Sequence, residues 1–145
     1  MDYRKQTIDR LRKLPAEREA LRNLPEQIRQ LEMQFVAIRA ARTDGDPVSG
    51  STNRREDALL SNIAEREERE ADLRWVESEV KLMERNLEAL KPNERRALEV
   101  FYINDEKHAA ERLSMEIGYS EPQVHRIRTV AVENLARRLY GRVQL

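Results

Sequence analysis

The chain contains no cysteine, 4 glycines, 5 prolines and few aromatic side chains, 5% in all. Without cysteine there is no disulfide framework and no thiolate site, which fits a reducing compartment. Scarce glycine and the near absence of Val, Ile and Thr runs leave a composition suited to long helices with one solvated side. The expected fold class is therefore all-α. No apolar stretch approaches the roughly 20 residues that span a bilayer, and the amino-terminal MDYRKQTIDRLRKL lacks the apolar core of a signal peptide. No membrane partner and a cytoplasmic location are expected. Net charge is absent as well: 27 basic residues balance 27 acidic ones, so bulk electrostatics announces neither a nucleic-acid coat nor an acidic tail.

Catalytic machinery is also lacking. No nucleophile and base pair and no glycine-rich phosphate loop occur, and the many carboxylates are spread over helix faces without a shared pocket. His108 and His125 fall on different predicted helices, with no cysteine or paired-carboxylate ligand spacing around them. No enzyme activity, metal or cofactor is expected.

What is present is charge, 37% of the residues, and helical periodicity across 145 residues, enough for one domain or for a small domain plus an extended element. Leu21, Leu24, Ile28, Leu31, Phe35 and Ile38 alternate steps of three and four, the seam of a coiled-coil-like helix. Upstream, Ile8, Leu11 and Leu14 continue an apolar face, while Pro15 and Pro25 should kink or restart the helix. Residues 43–53, TDGDPVSGSTN, read as the one evident loop. A second helix is expected from Arg54 to Leu90, because Leu59, Ile63, Leu73, Val76, Val80, Met83, Leu87 and Leu90 keep the same spacing. Its centre, EREEREAD (65–72), should be the weakest-packed part. Two helices, each on the order of 60 Å long at ~1.5 Å per residue and joined by a loop, imply an antiparallel hairpin over residues 1–90. Such a hairpin is marginal alone, so the carboxy-terminal part or a second copy should help cover it. Trp75 lies off the apolar stripe and is expected to pack against residues 93–140, with a subunit contact as the alternative.

Pro92 ends the second helix and places a domain boundary near Lys91. Three short amphipathic segments follow, residues 93–103, 106–117 and 121–140, separated by ND and GYS. From Ser120 to Arg142, Arg126, Arg128, Arg137, Arg138 and Arg142 stand against Glu121 and Glu133, a net of about +3. The last two segments fit a helix-turn-helix. Counting from Ala110, Ser114 fills the fifth place, where two crossing helices demand a small residue, and Gly118 fills the ninth, where positive φ is wanted. Leu113, Ile117, Val124 and Ile127 fall at core positions. Ser120 suits the N-cap of the second helix, with Gln123 placed for a capping box and Pro122 in the first turn, where no amide partner is lost.

The run ALKPNERRALEVFYI…HAAERLSMEIGYSEPQVHRIRTVAVENLARRL resembles region 4 of sigma-70 type transcription factors, over roughly residues 89 to 140. With the amino-terminal hairpin and the small size, the whole is similar to phage and prophage late-operon regulators of the ArpU/RinA kind. That resemblance implies a DNA-binding domain at residues 91–145 whose recognition helix meets base edges through Glu121, Pro122, Gln123 and Arg126, with His125 and Arg128 nearer phosphates. Ser120 and Thr129 complete the DNA-facing set. Pro122 stands where the family commonly has an acidic base acceptor, so the resemblance fixes no target sequence. No region 2, the DNA-melting part of a complete sigma factor, is recognisable.

The expectation is a sequence-specific transcriptional regulator that binds double-stranded DNA. Its hairpin would support a homo-oligomer or dock on RNA polymerase. Two other classes remain open at this point: a packaging adaptor like a small terminase subunit, and an anti-sigma-like factor that binds polymerase without DNA. Arg137, Arg138 and Arg142 have a weaker claim on DNA, since cations in a last helical turn suit the helix dipole without any ligand.

Overall fold

The structure, a computed structural model, describes residues 2–41 and 49–142. Every regular element among them is helical: α1 (Tyr3–Ala40), α2 (Ser49–Glu88), α3 (Pro92–Leu98), α4 (Ala109–Ile117) and α5 (Glu121–Tyr140), with a π-helical turn, Glu99–Ile103, extending α3. No helix among the described residues is long and apolar enough to cross a membrane. The chain divides into two compact units, Met1–Arg18 with Glu79–Leu145, and Glu19–Ser78. The division thus falls within α1 and within α2, not at the proline after Lys91.

Three expectations about where helices begin and break change. Neither Pro15 nor Pro25 ends or restarts α1, which runs unbroken for 38 residues. Both rings are exposed, while Thr7, Leu11 and Leu14 on neighbouring turns are fully buried in one unit and Leu24 is buried in the other. Burial of a leucine contributes about 1.5–3 kcal/mol, enough to hold the helix across a missing hydrogen bond. Second, α2 starts at Ser49 rather than Arg54. A loop-like composition does not forbid a first helical turn, whose amides need no acceptor in any case. The rest of the expected loop, residues 43–48, lies outside the described residues. Third, α4 starts at Ala109 rather than Glu106, because Asp105 (φ 45°) and His108 (φ 56°) take left-handed conformations that a right-handed helix cannot include.

In the unit of residues 19–78, Asn62 is 4% exposed and donates to the Leu31 carbonyl at 2.9 Å while accepting from Arg66 Nε at 3.1 Å. The Arg66 guanidinium lies 4.9 Å from the Phe35 ring centroid. Leu21, Ile28, Leu31, Phe35 and Ile38 are half-buried, and none of residues 65–72 is buried. Trp75 does not pack in this chain: it is 62% exposed, as are Met33, Val36 and Leu60 to a similar degree. Its place off the Leu73, Val76, Val80 stripe is enough to point it outward.

In the other unit α5 packs on α3 and α4. Its carboxy-terminal half is tied down repeatedly. Ala131, Val132, Leu135 and Ala136 are buried, Arg4 pairs with Glu133 at 2.8 Å, and Arg138 Nε donates to Asn86 Oδ1 at 3.2 Å. The Tyr140 ring lies 4.7 Å from that of Tyr3 and its hydroxyl accepts from Arg10 at 3.2 Å. Arg10 also makes a two-pronged bond to Glu79 at 2.7 and 2.8 Å. With that arginine occupied, Glu17 has a buried Oε2 without any hydrogen-bond partner. Burial, and then the charge of Glu79, push its carboxyl above the usual range against the pull of Arg10 and Lys13. A carboxyl raised in the folded state costs stability above its unfolded pKa, a cost relieved as pH falls through the folded value. Glu17→Gln is therefore expected to raise the melting temperature at neutral pH, with the gain shrinking toward acid; calorimetry at pH 7 and pH 4 checks it.

Candidate nucleic-acid interface

The surface of interest begins at the bend between α4 and α5. Gly118 has φ 78°, and its amide closes α4 on the Ser114 carbonyl at 3.0 Å. Nothing lies within 4 Å of where a side chain would start, so glycine is needed here for backbone conformation, at a cost of ~1–2 kcal/mol to other residues, and not for space. Ser114, expected as the small residue at the crossing, also donates its hydroxyl to the Tyr119 carbonyl and so fastens the bend. Beneath the bend, Ala97, Val100, Ala109, Leu113 and Val124 form one buried cluster, with Ile117 and Ile127 packed at its edge.

Ser120 caps α5. Gln123 N reaches Ser120 Oγ at 3.4 Å, and Ser120 N donates to Gln123 Oε1 at 3.0 Å, the reciprocal pair read from the sequence. Pro122 occupies the first turn. Since the cap uses both Ser120 Oγ and Gln123 Oε1, only the amide nitrogen of Gln123 is left to face outward.

With Val124 wholly buried, Glu121, Pro122, Gln123, His125, Arg126 and Thr129 are exposed on the remaining faces of the same helix, and Arg128 is half-buried. No solved structure, curated protein or family model matches this chain. The geometry of these residues must therefore speak for itself. Thr129 spends its hydroxyl on the His125 carbonyl at 3.0 Å and offers little but its methyl group. Arg126 has no hydrogen-bond or carboxylate partner among the described residues. Arg128 lies over the Phe101 ring, 4.9 Å from its centroid, and the His125 ring is 5.8 Å from the same phenylalanine. A cation over an aromatic face gains about 0.5–1 kcal/mol at such a site while leaving its N–H groups free in the ring's margin.

Phe101 is the member that sequence reasoning missed. It sits in the π-helical turn, where the widened backbone bonds Asn104 N to the Glu99 carbonyl at 2.8 Å. Read as ordinary helix, VFYI is only one more apolar patch; the pairing of an aromatic ring with two basic side chains far along the chain has no local sign.

Pairing sorts the basic residues of this unit. Arg96 is bound by Glu99 and Glu116 at 3.2 and 2.9 Å, and Arg112 by Glu106 at 3.0 Å. By contrast, none of the four arginines of α5 has a carboxylate partner among the described residues. Two of these, Arg137 and Arg138, bond to Asn134 at 3.3 Å and to Asn86 at 3.2 Å, and Arg142 beyond the helix lies 5.9 Å from the Tyr3 ring centroid. All four keep their charge, but Arg137 and Arg138 are held by neutral amides, whereas Arg126 and Arg128 stand on the half of α5 that follows the bend.

Proposed function

We propose that the protein is a sequence-specific DNA-binding transcriptional regulator of phage or prophage type, acting in the cytoplasm. Helices α4 and α5 serve as a helix-turn-helix, and residues Ser120 to Thr129 enter the major groove of double-stranded DNA. Arg126 meets a base edge, Arg128 and His125 hold phosphates, and Gln123 offers its amide. The two long helices form an antiparallel hairpin that assembles copies or docks on RNA polymerase. The observation that carries the reading is the uncompensated pair Arg126 and Arg128 on the open half of a helix whose other half is buried and tied down. A solvated charged face without a ligand would be expected to carry its own carboxylate partners, as α3 and α4 do.

Two measurements test it together. Arg126→Ala costs about 1–3 kcal/mol at a selected operator if this arginine reads a base. The slope of log affinity against log salt falls by about 0.9 for each phosphate contact removed, so Arg128→Ala flattens it by about one contact. Band-shift titrations on fragments selected from the encoding genome supply both numbers. A salt-independent affinity, or an Arg126→Ala variant that binds like the parent, overturns the assignment.

A second reading, a packaging adaptor, draws on the exposed Met33, Val36, Leu60 and Trp75 of the unit at residues 19–78. Mass in solution separates the two. A discrete high-order ring favours the adaptor, and a monomer or dimer with one preferred operator favours the regulator.

A further inference from the structure

We propose that the cleft between the start of α3 and the exposed flank of α5 binds a small amphipathic organic anion, an apolar body bearing one acidic group, and that this ligand competes with DNA for Arg126. The cleft has a volume of 560 Å³, within the range of small-molecule sites. Pro92, Tyr119, Ile127 and Val130 give it an apolar lining, beside the polar Asn93. Val130 and Tyr119 are 45% and 43% exposed, so apolar surface is left open to solvent beside the proposed DNA face. A second hollow, lined by His125, Arg126, Thr129 and Val130, continues the apolar surface along α5.

The charge of the cleft is positive once its hydrogen bonds are traced. Its one carboxylate, Glu94, is buried and spoken for: Oε1 accepts from Asn134 at 3.0 Å and Oε2 from the Lys91 amide at 3.3 Å. The two cations on its rim, Lys91 and Arg126, have no carboxylate partner among the described residues. Apolar walls with a cationic rim select a ligand that is apolar in body and anionic at one end; a neutral apolar compound leaves the cations unpaired, and a bare inorganic anion leaves the walls wet. Because Arg126 belongs to both surfaces, an occupied cleft withdraws it from a base. Competition with DNA rests on the DNA-binding reading above; binding of the anion does not.

The test uses the full chain and 8-anilino-1-naphthalenesulfonate, a fluorescent anion of this chemistry, with N-phenyl-1-naphthylamine as its uncharged counterpart. The expected result is one saturable site per chain for the sulfonate, with the uncharged compound binding about tenfold more weakly. Lys91→Gln and Val130→Asp each weaken the sulfonate by about tenfold, while Trp75→Ala and Met33→Ala, which remove apolar groups elsewhere, leave it unchanged. All four positions are exposed, and far-UV circular dichroism checks that each variant keeps its helices. Equal binding of both compounds, or a sulfonate site that responds to Trp75→Ala and not to Lys91→Gln and Val130→Asp, overturns the proposal. Operator DNA is then titrated against the bound dye. Displacement supports the shared use of Arg126; an intact dye site that DNA binds alongside without displacing overturns the competition and keeps the cleft.

Discussion

Leu113→Ala lowers the unfolding free energy of the unit at residues 1–18 and 79–142 by about 2–5 kcal/mol. Leu113 is fully buried in the cluster with Ala97, Val100, Ala109 and Val124, so truncation removes transfer energy and leaves a void between α4 and α5 that neighbouring alanines cannot fill. Against a total stability of about 5–15 kcal/mol, that loss takes a large share of what holds the bend in place. Met115→Ala on the same helix is the control, since Met115 is 82% exposed and its removal is expected to stay within about 0.5 kcal/mol. Urea unfolding followed by circular dichroism measures both. Similar midpoints for the two variants would refute the burial argument. If the DNA reading holds, Leu113→Ala also weakens operator binding near its melting temperature while leaving Arg126 chemically intact.

Replacing Pro15 or Pro25 by alanine stabilises the protein by about 2 kcal/mol each, the second largest effect expected. An interior proline costs a helix about 3 kcal/mol through a lost amide donor and a ring clash with the preceding turn. Alanine regains both, less the ~0.4–1 kcal/mol by which proline restricts the unfolded chain. Both rings are exposed and α1 is unbroken around them, so alanine restores the helical hydrogen bond without giving up a buried ring. The melting temperature should rise by about 2–4 °C per kcal/mol. The two positions fall in different compact units, so the gains are expected to add. A fall in melting temperature would mean that each ring makes a contribution of its own to the folded chain.

Much of the fold was legible because helices are local objects. Steps of three and four between leucines marked α1 and α2, and Gly118, Ser120, Pro122 and Gln123 marked the bend and cap to the residue. Those features depend on neighbours within a turn or two, where spacing alone sets geometry. The prolines misled about a restart of the helix for a related reason: the local penalty is real, yet burial of the neighbouring Leu11, Leu14 and Leu24 keeps α1 continuous. The left-handed His108 and the π-helical turn at Glu99–Ile103 carried no local sign in residue type or spacing. Trp75 was expected to pack by default, and its register on α2, off the Leu73, Val76, Val80 stripe, leaves it exposed instead.

By itself the sequence determined that the chain is helical, where the bend before its last helix lies, and which residues of α5 turn away from the core. Only the tertiary structure decided which arginines are free. Composition counts charges, but whether a guanidinium meets a carboxylate, as Arg96 and Arg112 do, an aromatic face, as Arg128 does, or no partner among the described residues, as at Arg126, depends on helices far apart in the chain. Likewise the cleft of Lys91 and Val130 exists only because α3 packs on α5. Periodicity fixes which way a side chain points, and packing fixes what it finds there.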